Sequence, residues 1–424
     1  MSLGFVHGFG TISLADIPLD ENQGSWFVSV DILLTIMFAP FGGKMAEIMG
    51  IKKTALLCSP LIVIGWVLVG VFSSPLALFL GRILSGIGVS IMMVSSSVYI
   101  AETVHPEHRT KLASSIGLSF SLGMCILWLL GYFFRWQTIA ILSTIPSIVT
   151  FIGFLYLPDT PYWLIQKKRY DDALESLHYF RKHFDQDEIK TEFSEMFEQY
   201  QHKKKATNPF SWICSPAFYK PFLCVGLLVP FYECTGNYVV ISYMQFILAQ
   251  TKIELELRTC SVIVALVRII SSVITMTTIH KLPLKLTYVI FATLKTISLG
   301  LIGLFFLIED HNSEMTTTLT WLPFTMIIIF YICNTWLTAI NWILIGELFP
   351  ADIRNFASGL IESLSYITTF IILKFFLDMK YELQLFGVFF SYASFGILLI
   401  LHGALTIPDT KGKSLTEIEE NYDS

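Results

Sequence analysis

The chain has 424 residues, of which 54% are hydrophobic and 14% are charged, and its formal net charge is −5. Soluble domains carry roughly 25% charged residues, so this composition excludes an ordinary soluble protein and indicates a polytopic membrane protein. The lysines are scattered apart from a run at 203–205, which gives no indication of nucleic-acid binding. The seven cysteines have no C-x-x-C spacing, so we predict no metal site, no disulfide framework and no cofactor.

Several apolar runs reach the roughly 20 residues that a membrane-spanning helix needs. In the first half of the chain we predict helices at 2–17, 25–45, 53–74, 77–101, 112–133 and 137–157. In the second half we predict helices at 218–249, 258–280, 284–308, 320–348, 353–378 and 382–407.

The first of these segments is short and lacks the charged start of a cleavable signal peptide. Gly4, His7, Gly8 and Gly10 interrupt its apolar residues. Two interpretations stay open: the chain begins inside this helix, or the helix is short and thins the bilayer locally.

The segment between the two halves has a different pattern. Charged residues surround apolar residues at helical spacing, namely Ala173, Leu174, Leu177, Phe180 and Phe184. This pattern predicts two or three amphipathic helices that lie at the membrane surface. A flexible linker is the alternative, which the regular spacing does not favour.

Charged residues in the loops indicate the orientation of the chain in the membrane. Alternate short loops contain basic residues, namely Lys44, Lys52, Lys53, Arg109, Lys111, Lys281, Lys285 and Arg354. The opposite loops contain acidic residues, namely Asp20, Glu21, Glu309, Asp310 and Glu314. Because basic loops stay on the cytoplasmic side, we predict that both termini are cytoplasmic.

A charged signature occurs twice, about 245 residues apart. Glu102 and Arg109 are separated by seven positions, and so are Glu347 and Arg354. Two parallel repeats in a membrane chain are typical of a transporter whose site lies between its halves. The predicted parts are an N-terminal six-helix bundle (1–157), a cytoplasmic linker (158–217), a C-terminal six-helix bundle (218–407) and a cytoplasmic tail (408–424).

Six motifs occur in order along the chain. They are G-G-K-M-A-E-I-M-G-I-K-K (42–53), Gly81-Arg82, Y-I-A-E-T-V-H-P-E-H-R (99–109), P-D-T-P-Y-W-L (158–164), N-W-I-L-I-G-E-L-F-P-A-D-I-R (341–354) and P-D-T-K-G-K-S-L-T-E-I (408–418). Together they resemble the sugar-porter branch of the major facilitator superfamily, and within it the insect trehalose transporter-like group. The resemblance implies an all-α major facilitator fold of two six-helix bundles with cytoplasmic interfacial helices.

The resemblance also implies a conformational switch, formed by charged residues at the cytoplasmic helix ends together with Arg82, which we expect near the outer end. Its residues would be Glu47, Lys52, Arg82, Glu102, Arg109, Glu347 and Arg354. Half-exposed ion pairs are each worth roughly 0–1 kcal/mol, which suits a balance between a closed and an open cytoplasmic side. The alternative is that these charges only anchor helix ends at the interface.

The substrate site implied by the resemblance departs from the family pattern. In helix seven the family has Q-Q-x-S-G-x-N, and this chain has Y-E-C-T-G-N-Y at 232–238. The implied site residues are Tyr232, Glu233, Asn237, Tyr238, Arg268, Trp342 and Ser365. Aromatic rings would contact sugar C–H groups, and the polar side chains would hydrogen-bond hydroxyls.

Glu233 and Arg268 replace uncharged residues of the family. A charge near the middle of the membrane costs at least roughly 2.5–3.5 kcal/mol on insertion scales, so we predict that these two side chains pair. The pair would either tie helices seven and eight together or form part of an altered substrate site.

The first helix does not favour proton coupling. Proton-driven relatives resemble G-Y-D-x-G, in which the aspartate partners the helix-four arginine. This chain has Gly4-Phe5-Val6-His7-Gly8, so Val6 stands at the position of the acid. His7 and Asp31 are the nearby candidates, and Asp31 could neutralise Arg82.

From these features we predict a carrier, not an enzyme. It would move a sugar of the trehalose or hexose class by facilitated diffusion through alternating access across the plasma membrane. Its partners would be the sugar and the lipid bilayer, and an obligate protein partner stays unknown. The alternatives are a carrier of another small polar solute, with proton coupling through Glu233, and a non-transporting receptor or inactive paralogue.

Overall fold

The computed structural model describes residues 1–14, 16–104, 106–182, 184–203, 216–311, 319–349 and 351–408. Within these residues every regular element is helical. The first helices are α1 (Ser2–Ser13), α2 (Glu21–Met49), α3 (Ile51–Val71), α4 (Pro75–Thr103), α5 (Pro106–Phe133), α6 (Trp136–Leu142) and α7 (Thr144–Tyr156). Three helices follow, namely α8 (Pro161–Gln166), α9 (Tyr170–Phe180) and α10 (Gln186–Lys203).

The second half of the chain begins with a divided helix, α11 (Pro216–Cys234), α12 (Asn237–Ser242) and α13 (Met244–Ala249). The remaining helices are α14 (Leu257–Thr278), α15 (Leu284–His311), α16 (Leu322–Leu348), α17 (Ala351–Lys374) and α18 (Phe376–Thr406). A 3₁₀ turn at Ile279–Lys281 extends α14, and α18 has a non-helical backbone at Gln384 (φ 57°). The helices agree with most predicted segments to within a few residues.

Among the described residues, nine helical segments are long and apolar enough to cross a membrane, and Gly117–Phe133 is a shorter apolar helix. Many of their large apolar side chains are exposed, including Phe133, Val149 and Leu405. An apolar outer surface is what a lipid-facing helix requires, because only intrahelical hydrogen bonds satisfy its backbone. The helices therefore confirm the predicted all-α polytopic membrane class.

The described residues form two compact units, each considered by itself. The first unit contains residues 1–6, 34–120 and 137–208. In this unit, α3 and α4 pack closely at Gly65 and Gly81. A Cβ atom added to Gly65 would lie only 2.6 Å from the carbonyl oxygen of Gly81, so the crossing has no room for a side chain at Gly65. Small residues at such a crossing let two helix backbones approach each other inside a membrane protein.

The helices α8, α9 and α10 also belong to the first unit and confirm the predicted amphipathic segment. Their buried residues form a small core, namely Trp163, Leu164, Ile165 and Ala173, with Phe193, Met196 and Phe197 packed against it. Trp163 Nε1 donates a hydrogen bond to the carbonyl oxygen of Glu47 at 3.0 Å, which ties α8 to the end of α2. These contacts exclude the flexible-linker alternative for the described part of the segment.

The second unit contains residues 7–33, 121–136 and 209–424. Its core lies among α11, α15, α16, α17 and α18, around fully buried side chains such as Tyr288 and Leu344. The single helix predicted for 218–249 is wrong in one respect, because the helix breaks after Cys234. Gly236 has a φ of 77° at this break, in the left-handed region that glycine adopts without steric cost.

Candidate functional site

A buried carboxylate lies directly before the break between α11 and α12. Glu233 is only 8% exposed. Asn237 Nδ2 donates to its Oε2 at 3.1 Å, and Ser365 Oγ of α17 donates to its Oε1 at 2.9 Å. The break therefore positions a charged group whose two oxygens are held from two different helices. This is the arrangement that discontinuous helices supply at transporter binding sites.

The side-chain amide of Asn237 is fully occupied by contacts within the protein. Its nitrogen also donates to the carbonyl oxygen of Tyr232 at 2.8 Å. Its oxygen accepts hydrogen bonds from Lys295 Nζ and from Thr235 Oγ1, the latter at 3.4 Å. Asn237 thus connects Glu233 with Lys295.

Lys295 of α15 is a site residue that the sequence analysis missed. It is 1% exposed, and its Nζ donates to Asn334 Oδ1 of α16 at 2.9 Å as well as to Asn237 Oδ1. Its ammonium lies 4.3 Å from the ring centroid of Tyr232 and 4.8 Å from that of Phe330. Both distances suit cation–π attraction. A lone lysine in the middle of an apolar span was the available signal, since such a residue is costly unless it is paired.

Tyr232 completes the network on the side of α16. Its hydroxyl donates to Asn334 Oδ1 at 2.8 Å and lies 2.5 Å from Thr338 Oγ1. Its side chain is buried, and its ring lies beside the ammonium of Lys295. One face of this ring is therefore occupied by the ammonium group of Lys295.

The network contains one buried acidic and one buried basic side chain, Glu233 and Lys295, which the amide of Asn237 bridges. Their attraction and the bridging amide offset part of the cost of removing both charges from water. Arg268 NH1 donates to Met124 Sδ at 3.3 Å, and the predicted pairing of Arg268 with Glu233 stays a prediction. Lys295 is linked to Glu233 through the amide of Asn237, because helix packing brings α15 to the break.

Tyr238 follows the break on α12 and meets the first helix of the chain. Its ring centroid lies 5.5 Å from that of His7, and His7 Nδ1 lies 3.8 Å from Asp31 Oδ2. One turn further along α1, Thr11 Oγ1 donates to the carbonyl oxygen of Ile241 at 2.5 Å. These contacts connect α1 with α12, the segment directly after the break.

The two remaining predicted substrate residues differ in exposure. Ser365 is partly buried and occupied by Glu233, whereas Trp342 on α16 is 52% exposed. The indole of Trp342 thus keeps a free surface that a solute or lipid can contact.

Arg82 belongs to the predicted switch and lies on α4 in the first unit. It is 1% exposed, and its NH1 donates to the carbonyl oxygen of Val6 at 2.8 Å. The apolar side chain of Val6 offers no acceptor, so its backbone carbonyl makes this contact with the arginine.

Several predicted switch residues contact neighbouring segments within the first unit. Thr160 Oγ1 donates to Glu102 Oε2 at 2.5 Å, and Lys52 Nζ donates to the carbonyl oxygen of Leu155 at 3.3 Å. Glu47 contributes its backbone carbonyl to Trp163. The side chains of Arg109, Glu347 and Arg354 lie outside the described part of the structure, so their predicted cluster stays a prediction.

The same region contains an ion pair that the sequence analysis did not predict. Arg181 at the end of α9 donates two hydrogen bonds to Glu192 of α10, from Nε at 2.9 Å and from NH2 at 2.7 Å. Its NH1 donates to the carbonyl oxygen of Thr103 at 2.9 Å. Arg181 therefore links α9 and α10 to the end of α4.

Among the residues that the structure describes, no group of three or more His, Cys, Asp or Glu side chains is placed to hold an ion. The polar network of the second unit consists of hydroxyl, amide, carboxylate and ammonium groups, which bind solutes through hydrogen bonds and charge.

An all-α membrane fold with a broken helix and a buried polar network is the arrangement of a transporter-type membrane protein. The family comparison agrees. The chain belongs to the family described as sugar (and other) transporter, whose model matches residues 13–422.

Curated relatives cover almost all of this chain. The facilitated trehalose transporter Tret1 of Anopheles gambiae is 26% identical over 410 residues, which are 96% of this chain and 51% of that protein. The protein of the same name from Bombyx mori is 27% identical over 427 residues, which are 99% of this chain and 84% of that protein. The chain thus spans about half the length of the first relative and most of the second.

Solved structures confirm the predicted major facilitator fold. The inward-open xylose transporter XylE from E. coli matches with a TM-score of 0.78 at 18% identity, covering 99% of this chain and 97% of that chain. XylE bound to 6-bromo-6-deoxy-D-glucose matches with a TM-score of 0.74, also at 18% identity and with the same coverage. At this identity the likeness shows the fold alone.

Proposed function

We propose that this protein is a carrier that moves a sugar of the trehalose or hexose class by facilitated diffusion, with alternating access. The observation that carries the proposal is the polar network at the break between α11 and α12, in a chain of the sugar transporter family. The names of its relatives support the solute class, since they are facilitated trehalose transporters.

The residues around the break have the chemistry that a sugar needs. Glu233 accepts hydrogen bonds from hydroxyls, and Arg268 donates them. Tyr238 and Trp342 offer aromatic surface to the apolar C–H face of a sugar ring. Binding needs no covalent step, so these groups only have to position the solute and release it.

One feature supports facilitated diffusion over proton coupling. Val6 stands at the first-helix position of the acid in the proton-linked pattern, and its apolar side chain cannot take up a proton. A carrier without that acid does not need a proton gradient.

The same proposal includes location and conformational change. The protein would lie in the plasma membrane with both termini in the cytoplasm, and residues 1–157 and 218–407 would form its two moving bundles. Arg109 and Arg354 would pair with Glu102 and Glu347 while the cytoplasmic side is closed. Separation of these pairs would open that side.

An uptake experiment tests the proposal. Yeast cells that lack endogenous hexose carriers would express the chain, and uptake of radiolabelled trehalose and D-glucose would be measured with and without a protonophore. We expect saturable uptake of at least one sugar that the protonophore leaves unchanged. Uptake abolished by the protonophore would favour the proton-linked alternative, and surface expression without uptake would favour a non-transporting protein.

A further inference from the structure

Lys295 restricts the orientation of the amides around it. An ammonium group has three hydrogen-bond donors and no acceptor. It therefore requires that each amide side chain beside it presents its oxygen, and both Asn237 and Asn334 do so. The cation is 1% exposed, so water cannot easily replace either contact.

The fixed oxygen of Asn237 determines where its nitrogen points. The two donors of Asn237 Nδ2 go to the Tyr232 carbonyl oxygen at 2.8 Å and to Glu233 Oε2 at 3.1 Å. No donor of this amide is left for a sugar hydroxyl. Asn237 therefore acts on a bound sugar only through Glu233.

The carboxylate of Glu233 keeps unused acceptor capacity. An ionised carboxylate has about four lone-pair sites and no donor. Asn237 occupies one site, Ser365 occupies another, and the hydroxyl of Thr369 also interacts with the carboxylate, which leaves about one site for a solute. Other charged and titratable groups near this part of α11 and α12 are Tyr232, Tyr238, Arg268, Asp31 and Glu362.

We propose that Lys295 is a positioning residue of the sugar site. Lys295 binds the oxygen of Asn237, so the amide nitrogen of Asn237 points to Glu233. The group that hydrogen-bonds the sugar is then the charged carboxylate of Glu233 and not the amide of Asn237. The proposal rests on the proposed sugar transport and deepens it, since it determines the kind of hydroxyl contact. At this position the sugar must donate a hydrogen bond, because an ionised carboxylate can only accept one.

Sugar analogues test which group meets the solute. Radiolabelled D-glucose or trehalose, whichever is taken up, would compete with D-glucose analogues in which each ring hydroxyl in turn is replaced by hydrogen or by fluorine. Fluorine cannot donate a hydrogen bond. In the wild type we expect one position at which both replacements weaken competition by about ten- to hundred-fold, the range for a lost charged hydrogen bond.

The same competition experiment on the Glu233→Gln variant provides the comparison. An amide can also donate, so at the same position the fluorinated analogue should compete better than the deoxy analogue in this variant. The Lys295→Met/Glu233→Gln double variant should show the same altered profile. If no ring position discriminates in the wild type, or if Glu233→Gln leaves the profile unchanged, Glu233 does not meet the sugar and the proposal is wrong.

Thermal stability of the purified protein in detergent tests Lys295 without any transport. Lys295→Met alone should lower the melting temperature and the yield of folded protein, and adding Glu233→Gln should recover at least half of the loss. Lys190→Met, which removes an exposed lysine from α10, is the control and should change neither. Additive losses in the double variant would overturn the role of Lys295. A folded wild type that takes up neither sugar would instead overturn the proposed function and the sugar-facing part of this inference.

Discussion

Gly236 lies against the ring of Tyr392. A Cβ on this glycine would be 2.6 Å from the Cδ2 and Cε2 atoms of that ring, a distance that real Cβ contacts do not reach. The backbone adds a second restriction, because φ is 77° at this residue. Packing and backbone conformation thus both require glycine where α11 ends and α12 begins.

Gly236→Ala should therefore destabilise the protein. Left-handed backbone strain in a non-glycine residue costs about 1–3 kcal/mol, and the clash with Tyr392 adds to it. We expect a lower melting temperature in detergent and a smaller folded fraction in size-exclusion chromatography. Gly153→Ala on α7 is the matched control, because a Cβ there meets no atom within 4 Å. Equal behaviour of the two variants would contradict the requirement for glycine.

The partner of Glu233 can be identified by comparing two double-mutant cycles. The structure predicts that Glu233→Gln and Lys295→Met are coupled, because the two side chains share Asn237. Residues in one hydrogen-bond network typically couple by about 0.5–3 kcal/mol. Coupling between Glu233→Gln and Arg268→Met should be smaller. A larger coupling free energy between Glu233→Gln and Arg268→Met would instead support the Glu233–Arg268 pair that the sequence predicts.

Arg181→Ala should weaken the packing of α9 and α10 without unfolding the membrane-spanning helices. The pair with Glu192 is 5% and 26% exposed, so its loss should cost more than the about 0–1 kcal/mol of surface pairs and less than the about 3–5 kcal/mol of buried ones. Hydrogen exchange should become faster in α9 and α10. Arg169→Ala, which breaks an exposed pair with Asp172, is the control and should leave exchange in α10 unchanged.

The predicted cytoplasmic switch leads to a test in living cells. Arg109→Ala and Arg354→Ala each remove one cation of the repeated signature, so both should favour the state that is open to the cytoplasm. Single cysteines introduced at the cytoplasmic helix ends should then react faster with a thiol reagent applied from that side. Unchanged labelling in both variants would show that these arginines only anchor helix ends.

Most helices could be predicted from the sequence because a membrane imposes a simple rule. Each spanning helix must satisfy its own backbone and present apolar side chains over its whole length. The segment predicted at 53–74 is therefore found as α3 (Ile51–Val71). The break between α11 and α12 was harder to predict, because a single glycine is common in an apolar helix. The contact with Tyr392, which makes Gly236 necessary, depends on the tertiary structure.

The sequence by itself determined the membrane class, the repeated halves, the family and the presence of charge at Glu233, because each depends on residue type and spacing along the chain. It did not determine the partner of that charge. Lys295 belongs to a helix that is distant in sequence, and its contact with Asn237 depends on how α15 rotates and packs beside the break. Several intramembrane cations can satisfy the same electrostatic requirement, so only the tertiary structure decides which cation shares the amide of Asn237 with Glu233.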